Sequence, residues 1–232
     1  MNKLFFGLGM MLTWMATAQE STIVGGDVQD LSRVNNSGIL FNNRGYAVSK
    51  YSGSPFLAEE WAKGSVTLKD EGKIDDLLLV LDFYKKELYV EKNGKSIAVP
   101  KANLEAFSLT LNGQQVNFIP VEMGNETVYG ELLYRSEKFD LLKITEVTFI
   151  DADQYDQTFK SGNPNDEYRQ SAKFYMDRAG ELIKLPSSKG RFSKLFPGEE
   201  KAVKSYLKNQ NIDLSSQRDL VITFEKLDNM IR

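Results

Sequence analysis

Alternating hydrophobic and polar positions dominate the middle of this 232-residue chain. Short apolar-rich runs are separated by turn residues, and two of the turns are the Asn-Gly pairs Asn93-Gly94 and Asn112-Gly113. Asn-Gly readily adopts the positive φ angles that a two-residue hairpin turn requires. The pattern therefore predicts consecutive β-hairpins over residues 38–186, forming an antiparallel meander of about eight to ten strands.

The pattern changes to a helical period after residue 186. Pro197 and the acidic pair after Gly198 suit the first turn of a helix, and Ser216 with Asp219 resembles a capping box. Apolar residues recur at helical spacing in the last segment, at Leu220, Phe224, Leu227 and Ile231. The sequence thus predicts an α+β fold, with a curved, mostly antiparallel sheet and the helices of residues 187–232 packed on one face or end.

The N-terminus has the three parts of a secretory signal peptide. A basic residue, Lys3, precedes an apolar run over residues 4–15, and Ala16-Thr17-Ala18 fits the cleavage site. An apolar run of this length is too short to span a bilayer. We therefore expect residues 1–18 to be removed, residues 19–37 to form a polar leader, and the mature chain to be exported to the periplasm or secreted, without a transmembrane anchor.

The chain contains neither Cys nor His. These absences exclude disulfides, a bacterial lipoprotein anchor, His- or Cys-ligated metals and catalysis by a Ser-His-Asp or Cys-His arrangement. The net charge of −3, without a basic face, argues against nucleic-acid binding. Chemistry that needs no His remains open, but Ser205 with Lys208 and the adjacent pairs Glu59-Glu60 and Asp75-Asp76 are more simply read as solvated surface groups.

Three acidic residues in a polar loop over residues 151–167 are the best metal candidates. Asp151, Asp153 and Asp156 carry carboxylates, to which Asn163, Asn165 and Asp166 could add oxygen ligands. Calcium takes such ligands, although the order of an EF-hand is not kept. Calcium is the only cofactor that the sequence suggests, and a solvated loop is the alternative.

Aromatic residues cluster around the turn Gly53-Ser54-Pro55. Tyr46, Tyr51, Phe56 and Trp61 lie within a short stretch, and such side chains can line a ligand cleft. They are therefore the candidate ligand-binding residues, with a place in the hydrophobic core as the alternative.

The order of these motifs resembles a group of uncharacterised exported proteins of Bacteroidota-type bacteria. The resemblance rests on a G-S-P-aromatic segment at residues 53–56, on Gly64 and Val66 before the apolar strand, and on a tail in which Lys194, Phe196 and Pro197 precede a lysine-rich helix. It covers most of the mature chain and implies location and architecture. It assigns no role to any residue.

Export, many aromatic residues and the absence of a catalytic constellation together predict a non-catalytic envelope protein. Its partner would be an envelope protein, a lipid or a glycan, bound through the concave side of the sheet or the aromatic region. A chaperone-like or carrier protein, with an apolar client surface on the sheet, is one alternative. A carboxylate-dependent hydrolase is the other.

Overall fold

The computed structural model describes residues 51–151 and 166–231. The predicted signal peptide and polar leader, the predicted strands before residue 51, Tyr46, Asp153 and Asp156 lie outside the described residues. Among the described residues, no helix is long and apolar enough to cross a membrane.

The described chain forms one mixed β-sheet followed by three short helices. The first five strands are β1 (Tyr51–Gly53), β2 (Ala62–Leu68), β3 (Gly72–Asp82), β4 (Glu87–Lys92) and β5 (Lys95–Ala98). A 3-10 turn (Lys101–Asn103) leads to β6 (Leu104–Leu111), β7 (Gln114–Met123), β8 (Glu126–Arg135), β9 (Asp140–Ile150), β10 (Asp166–Arg178) and β11 (Glu181–Lys184). The helices are α1 (Lys189–Ser193), α2 (Glu200–Asn209) and α3 (Gln217–Met230).

The predicted hairpins are present at both Asn-Gly pairs. Asn93 and Asn112 have φ angles of 55° and 51°, and each is followed by a glycine that also has a positive φ. They join β4 to β5 and β6 to β7. The predicted helix start is confirmed as well, since the Ser216 side chain accepts a hydrogen bond from the Asp219 N–H.

The strand order corrects the predicted meander in two places. Strand β6 does not pair with β5 but crosses over to β2, so the sheet runs β1-β10-β9-β8-β7-β6-β2-β3-β4-β5, with β11 also on β10. Strand β1 pairs with β10 in parallel. The predicted polar loop also ends earlier than expected, because Asp166 and Glu167 already belong to β10.

A segment at residues 51–57 connects strands that are far apart in this order. Its first half is β1, on β10, and its second half bonds to β3 through Leu57 N to Leu81 O and Phe83 N to Pro55 O, at 3.0 and 2.9 Å. Tyr84, just beyond β3, also packs on Tyr168 of β10 with ring centroids 5.4 Å apart. These contacts require the sheet to be strongly curved.

Two main hydrophobic clusters stabilise the fold. One lies inside the curve of β2–β8 and includes Leu79, Leu88 and Phe107. The other joins the helices to the sheet, where Phe192 and Phe224 pack with Leu141 and Met176. The C-terminal helices are therefore integral to the fold, and none of the described helices packs into the cluster inside β2–β5.

Candidate functional site

Two hairpins diverge at one end of the sheet and leave a cleft between them. Strands β3 and β4 pair only at residues 79–82 and 87–90. Beyond this stretch β3 stays with β2, while β4 stays with β5. The space between the two hairpins is a cavity of about 630 Å³, which we call the hairpin cleft. This volume is within the range that small-molecule sites occupy.

Aliphatic side chains line most of the hairpin cleft. Ile74 and Leu77 of β3 form one wall, Val90 and Ile97 form the other, and Val66 lies between them. All five belong to the cluster inside the curved sheet or pack against it. The hairpin cleft is thus an opening into the hydrophobic core, and a ligand there would cover apolar surface.

A bulge explains why Ile74 and Leu77 share a wall although they are three residues apart. Alternation in a regular strand would send them to opposite faces. The pairing of β2 with β3 shifts between Gly64 and Val66, opposite Asp76, which has a φ angle of 57°. A bulge inserts one extra residue into one strand. The extra residue in β3 turns Leu77 to the same face as Ile74.

The polar groups of the hairpin cleft lie at its rim. Glu71, Glu91, Lys92 and Asn103 contribute to the lining, and the Glu91 carboxylate accepts a hydrogen bond of 2.6 Å from the Gly94 N–H. Lys69 N donates to Asn103 O at 2.9 Å. The β2–β3 turn is thereby fixed to the 3-10 turn, which holds this part of the rim in place.

The predicted aromatic residues are divided between two places. Tyr51 packs against Phe149 and Tyr168, with ring centroids 5.9 and 6.0 Å apart. Phe56 is buried in a small cluster with Val80 and Tyr89, against which Trp61 packs. The structure therefore brings Phe56 and Trp61 together, in core packing, and places Tyr51 with other rings. A ligand site at the four residues stays a prediction.

The described acidic residues form no metal centre. Asp151 directly follows β9 and Asp166 begins β10, while the other predicted calcium ligands lie outside the described residues. Within residues 51–151 and 166–231, no three acidic side chains are grouped as metal ligands. The calcium site therefore stays a prediction.

The side chains considered for catalysis are exposed at the surface. Asp75 forms an exposed ion pair with Lys73 at 2.7 Å, and Glu59 and Glu60 are exposed. On α2, the Ser205 hydroxyl accepts from the Asn209 amide at 3.4 Å, and Lys208 is exposed. None of these residues lines the hairpin cleft.

A buried carboxylate occurs instead at the end of β3. Asp82 is opposite Glu87 in the β3–β4 pair, and its side chain accepts a 2.8 Å hydrogen bond from Lys85 N. Burial raises the pKa of Asp82, and the bond from Lys85 opposes this effect. The Tyr89 hydroxyl donates to Glu87, and burial raises the pKa of Tyr89 strongly. The carboxylates of Asp82 and Glu87 thus accept hydrogen bonds within the β3–β4 hairpin, and neither lines the hairpin cleft. Their role is therefore to stabilise the turn, and they would not contact a ligand in the cleft.

Charged side chains also surround a smaller cavity, of about 270 Å³, on the other side of the β3–β4 turn. Lys86 there pairs with Glu126, and Glu146 pairs with Lys173. Tyr129 lines it too, and burial raises the pKa of this tyrosine to about 12. Its charges are mutually neutralised, so the larger apolar cleft is the stronger candidate.

The residues of the hairpin cleft were missed from the sequence because they read as ordinary core positions. Ile97 and Val99 alternate as a half-buried strand does. Divergence of the two hairpins, which exposes them, has no local signature. None of the protein families, curated proteins and solved structures compared with this chain matches it.

Proposed function

We propose that this chain is an exported, non-catalytic envelope protein that binds an apolar ligand in the hairpin cleft. One observation carries the proposal: the cleft opens directly onto the core and is walled by aliphatic side chains, with charges only at its rim. Burying apolar surface is the main favourable term in binding, at about 25 cal/mol per Å². The signal peptide pattern and the resemblance to exported proteins support the location.

The carrier or chaperone-like alternative uses the same surface. An apolar opening that a client can enter is what such a protein needs. A hydrolase gains no support from the cleft, because its rim carboxylates, Glu71 and Glu91, accompany Lys92 and no buried acid.

A neutral hydrophobic dye tests the proposal. N-phenylnaphthylamine should become fluorescent when it is titrated with the purified chain, because the cleft excludes water from it. Ile97→Lys places a charge in the cleft and should weaken dye binding by about tenfold, which is about 1.4 kcal/mol. Ile222→Lys is the matched control, since Ile222 is exposed on α3, outside the cleft lining.

Folding of both variants is checked by circular dichroism. Equal dye affinity in the wild type and in the folded Ile97→Lys variant would show that the dye binds elsewhere. Absence of any dye fluorescence would remove the proposed function.

A further inference from the structure

One wall of the hairpin cleft is an unpaired strand edge. Residues 72–78 of β3 bond to β2 on one side. On the side that faces β4–β5, no described strand pairs with them, since the β3–β4 pairing begins only at Leu79. The backbone N–H and C=O groups on that side therefore point toward the cleft without a strand partner among the described residues.

The hydrogen-bonding needs of these backbone groups favour one class of apolar ligand over another. A hydrocarbon chain would take them out of water and offer no hydrogen bond, at a cost of about 1–3 kcal/mol for each group left unsatisfied. An extended peptide supplies the missing donors and acceptors and places every second side chain toward the aliphatic walls. We propose that the ligand is an extended segment of a partner protein, which adds to the edge of β3 as a further strand. The inference rests on the proposed function of the cleft.

The rim defines the charge of that segment. Glu71 and Glu91 outnumber Lys92 in the lining, and the exposed charges of the unpaired edge outside the lining, Lys73, Asp75 and Asp76, sum to one further negative charge. Like charges near this rim would repel an acidic peptide, whereas Lys or Arg at its ends would be attracted. At about 3.4 Å per residue, seven residues of β3 span about 20 Å, enough for a segment of six or seven residues.

A selected peptide tests the inference with the intact chain. A phage-displayed library of random heptapeptides is selected on the purified chain, and the most enriched sequence is synthesised. We expect apolar residues at alternate positions with basic ends, and displacement of N-phenylnaphthylamine by the synthetic peptide. Methylating the peptide nitrogens at every second residue removes the donors and should weaken binding by about tenfold or more.

Two variants separate recognition by charge from recognition by apolar packing. Glu71→Lys should weaken binding of the peptide several-fold and change binding of the neutral dye by a much smaller factor. Ile97→Lys should weaken both, and Ile222→Lys should weaken neither. A merely apolar groove would respond to Ile97→Lys alone.

The outcomes distinguish this inference from the proposed function. If the dye binds in the cleft but no enriched peptide displaces it, or if the methylated peptide binds as tightly, strand addition is wrong and the apolar ligand site stands. A fluorescent fatty acid that displaces the dye in that case would identify a lipid chain as the occupant. If the dye itself does not bind in the cleft, both proposals fall.

Discussion

Gly64 marks the closest approach between two strands of the sheet, and a single added methyl group tests it. A Cβ at this position would lie 2.0 Å from the backbone oxygen of Ser108 in β6 and 2.9 Å from the Leu79 side chain. A carbon and a carbonyl oxygen ordinarily stay about 3.3 Å or more apart. The Leu79 side chain can rotate, but the β6 backbone can only move away, by about 1.3 Å.

Gly64→Ala should therefore destabilise the protein by about 3 kcal/mol. Overpacking of this kind costs roughly 1–3 kcal/mol, and separating β2 from β6 weakens one or two backbone hydrogen bonds worth about 1 kcal/mol each. With a urea m-value of about 2–3 kcal/mol/M, the midpoint of unfolding should fall by about 1–1.5 M. The measurement is urea denaturation followed by far-UV circular dichroism.

The matched control is the same substitution in helix α1. A Cβ at Gly190 would have no neighbour within 4 Å, and alanine is the better helix former by about 1 kcal/mol. Gly190→Ala should leave the midpoint unchanged or raise it. If Gly64→Ala unfolds at the wild-type urea concentration, the close approach of β2 and β6 is wrong.

Two further substitutions examine the helical layer and the buried acid. Phe224 is fully buried, and its ring centroid lies 5.2 Å from that of Phe139. Phe224→Ala should therefore lower the free energy of unfolding by about 3–5 kcal/mol. The exposed Ile222→Ala should cost under about 0.5 kcal/mol, and equal losses for the two would show that α3 does not pack on the sheet. Burial raises the pKa of Asp82 in the folded protein above its ordinary 3.8, so the folded protein binds this proton more tightly than the unfolded chain does. The protonated carboxyl therefore stabilises the fold at low pH, and this stabilisation is lost as the pH rises from about 4 through the raised pKa. The side chain of Asp82→Asn does not titrate, so the stability of this variant relative to the wild type should increase with pH. The measurement is urea denaturation at several values between pH 4 and 7. A difference in stability that stays constant with pH would contradict the raised pKa.

Local signals in the sequence predicted the local structure well. Each Asn-Gly pair occupies its hairpin turn because few other residues tolerate those φ angles, and Ser216 caps its helix because its hydroxyl can reach the Asp219 N–H. These features depend on residues next to one another in the chain, so a single sequence contains them.

Long-range pairing was not accessible in the same way. The crossover of β6 to β2 and the parallel pairing of Tyr51 with Asp166 depend on surfaces that exist only after folding. Only the structure shows why both Gly53 and Gly64 must lack a side chain. At each position a Cβ would overlap a backbone oxygen of a neighbouring strand. A Cβ at Gly53 would lie 2.1 Å from the Tyr168 backbone oxygen, at a φ of 74°.

The sequence suggested a partner surface on the concave side of the sheet, and binding there stays a prediction. The residues that line the hairpin cleft were not predicted. Its lining could not be named, because regular alternation would have placed Ile74 and Leu77 on opposite faces, and only the bulge at Asp76 brings them to one wall.

The segment at residues 51–57 has a consequence for the time course of folding. Its partner on β10 begins at Asp166, more than a hundred residues later in the chain. Closing a loop of this length costs entropy before any contact compensates for it, and folds rich in such contacts form slowly. When the chain emerges N-terminus first, β1 must remain unpaired until β10 has followed. The β1–β10 contacts that complete the curved sheet therefore form late, when most of the chain has emerged.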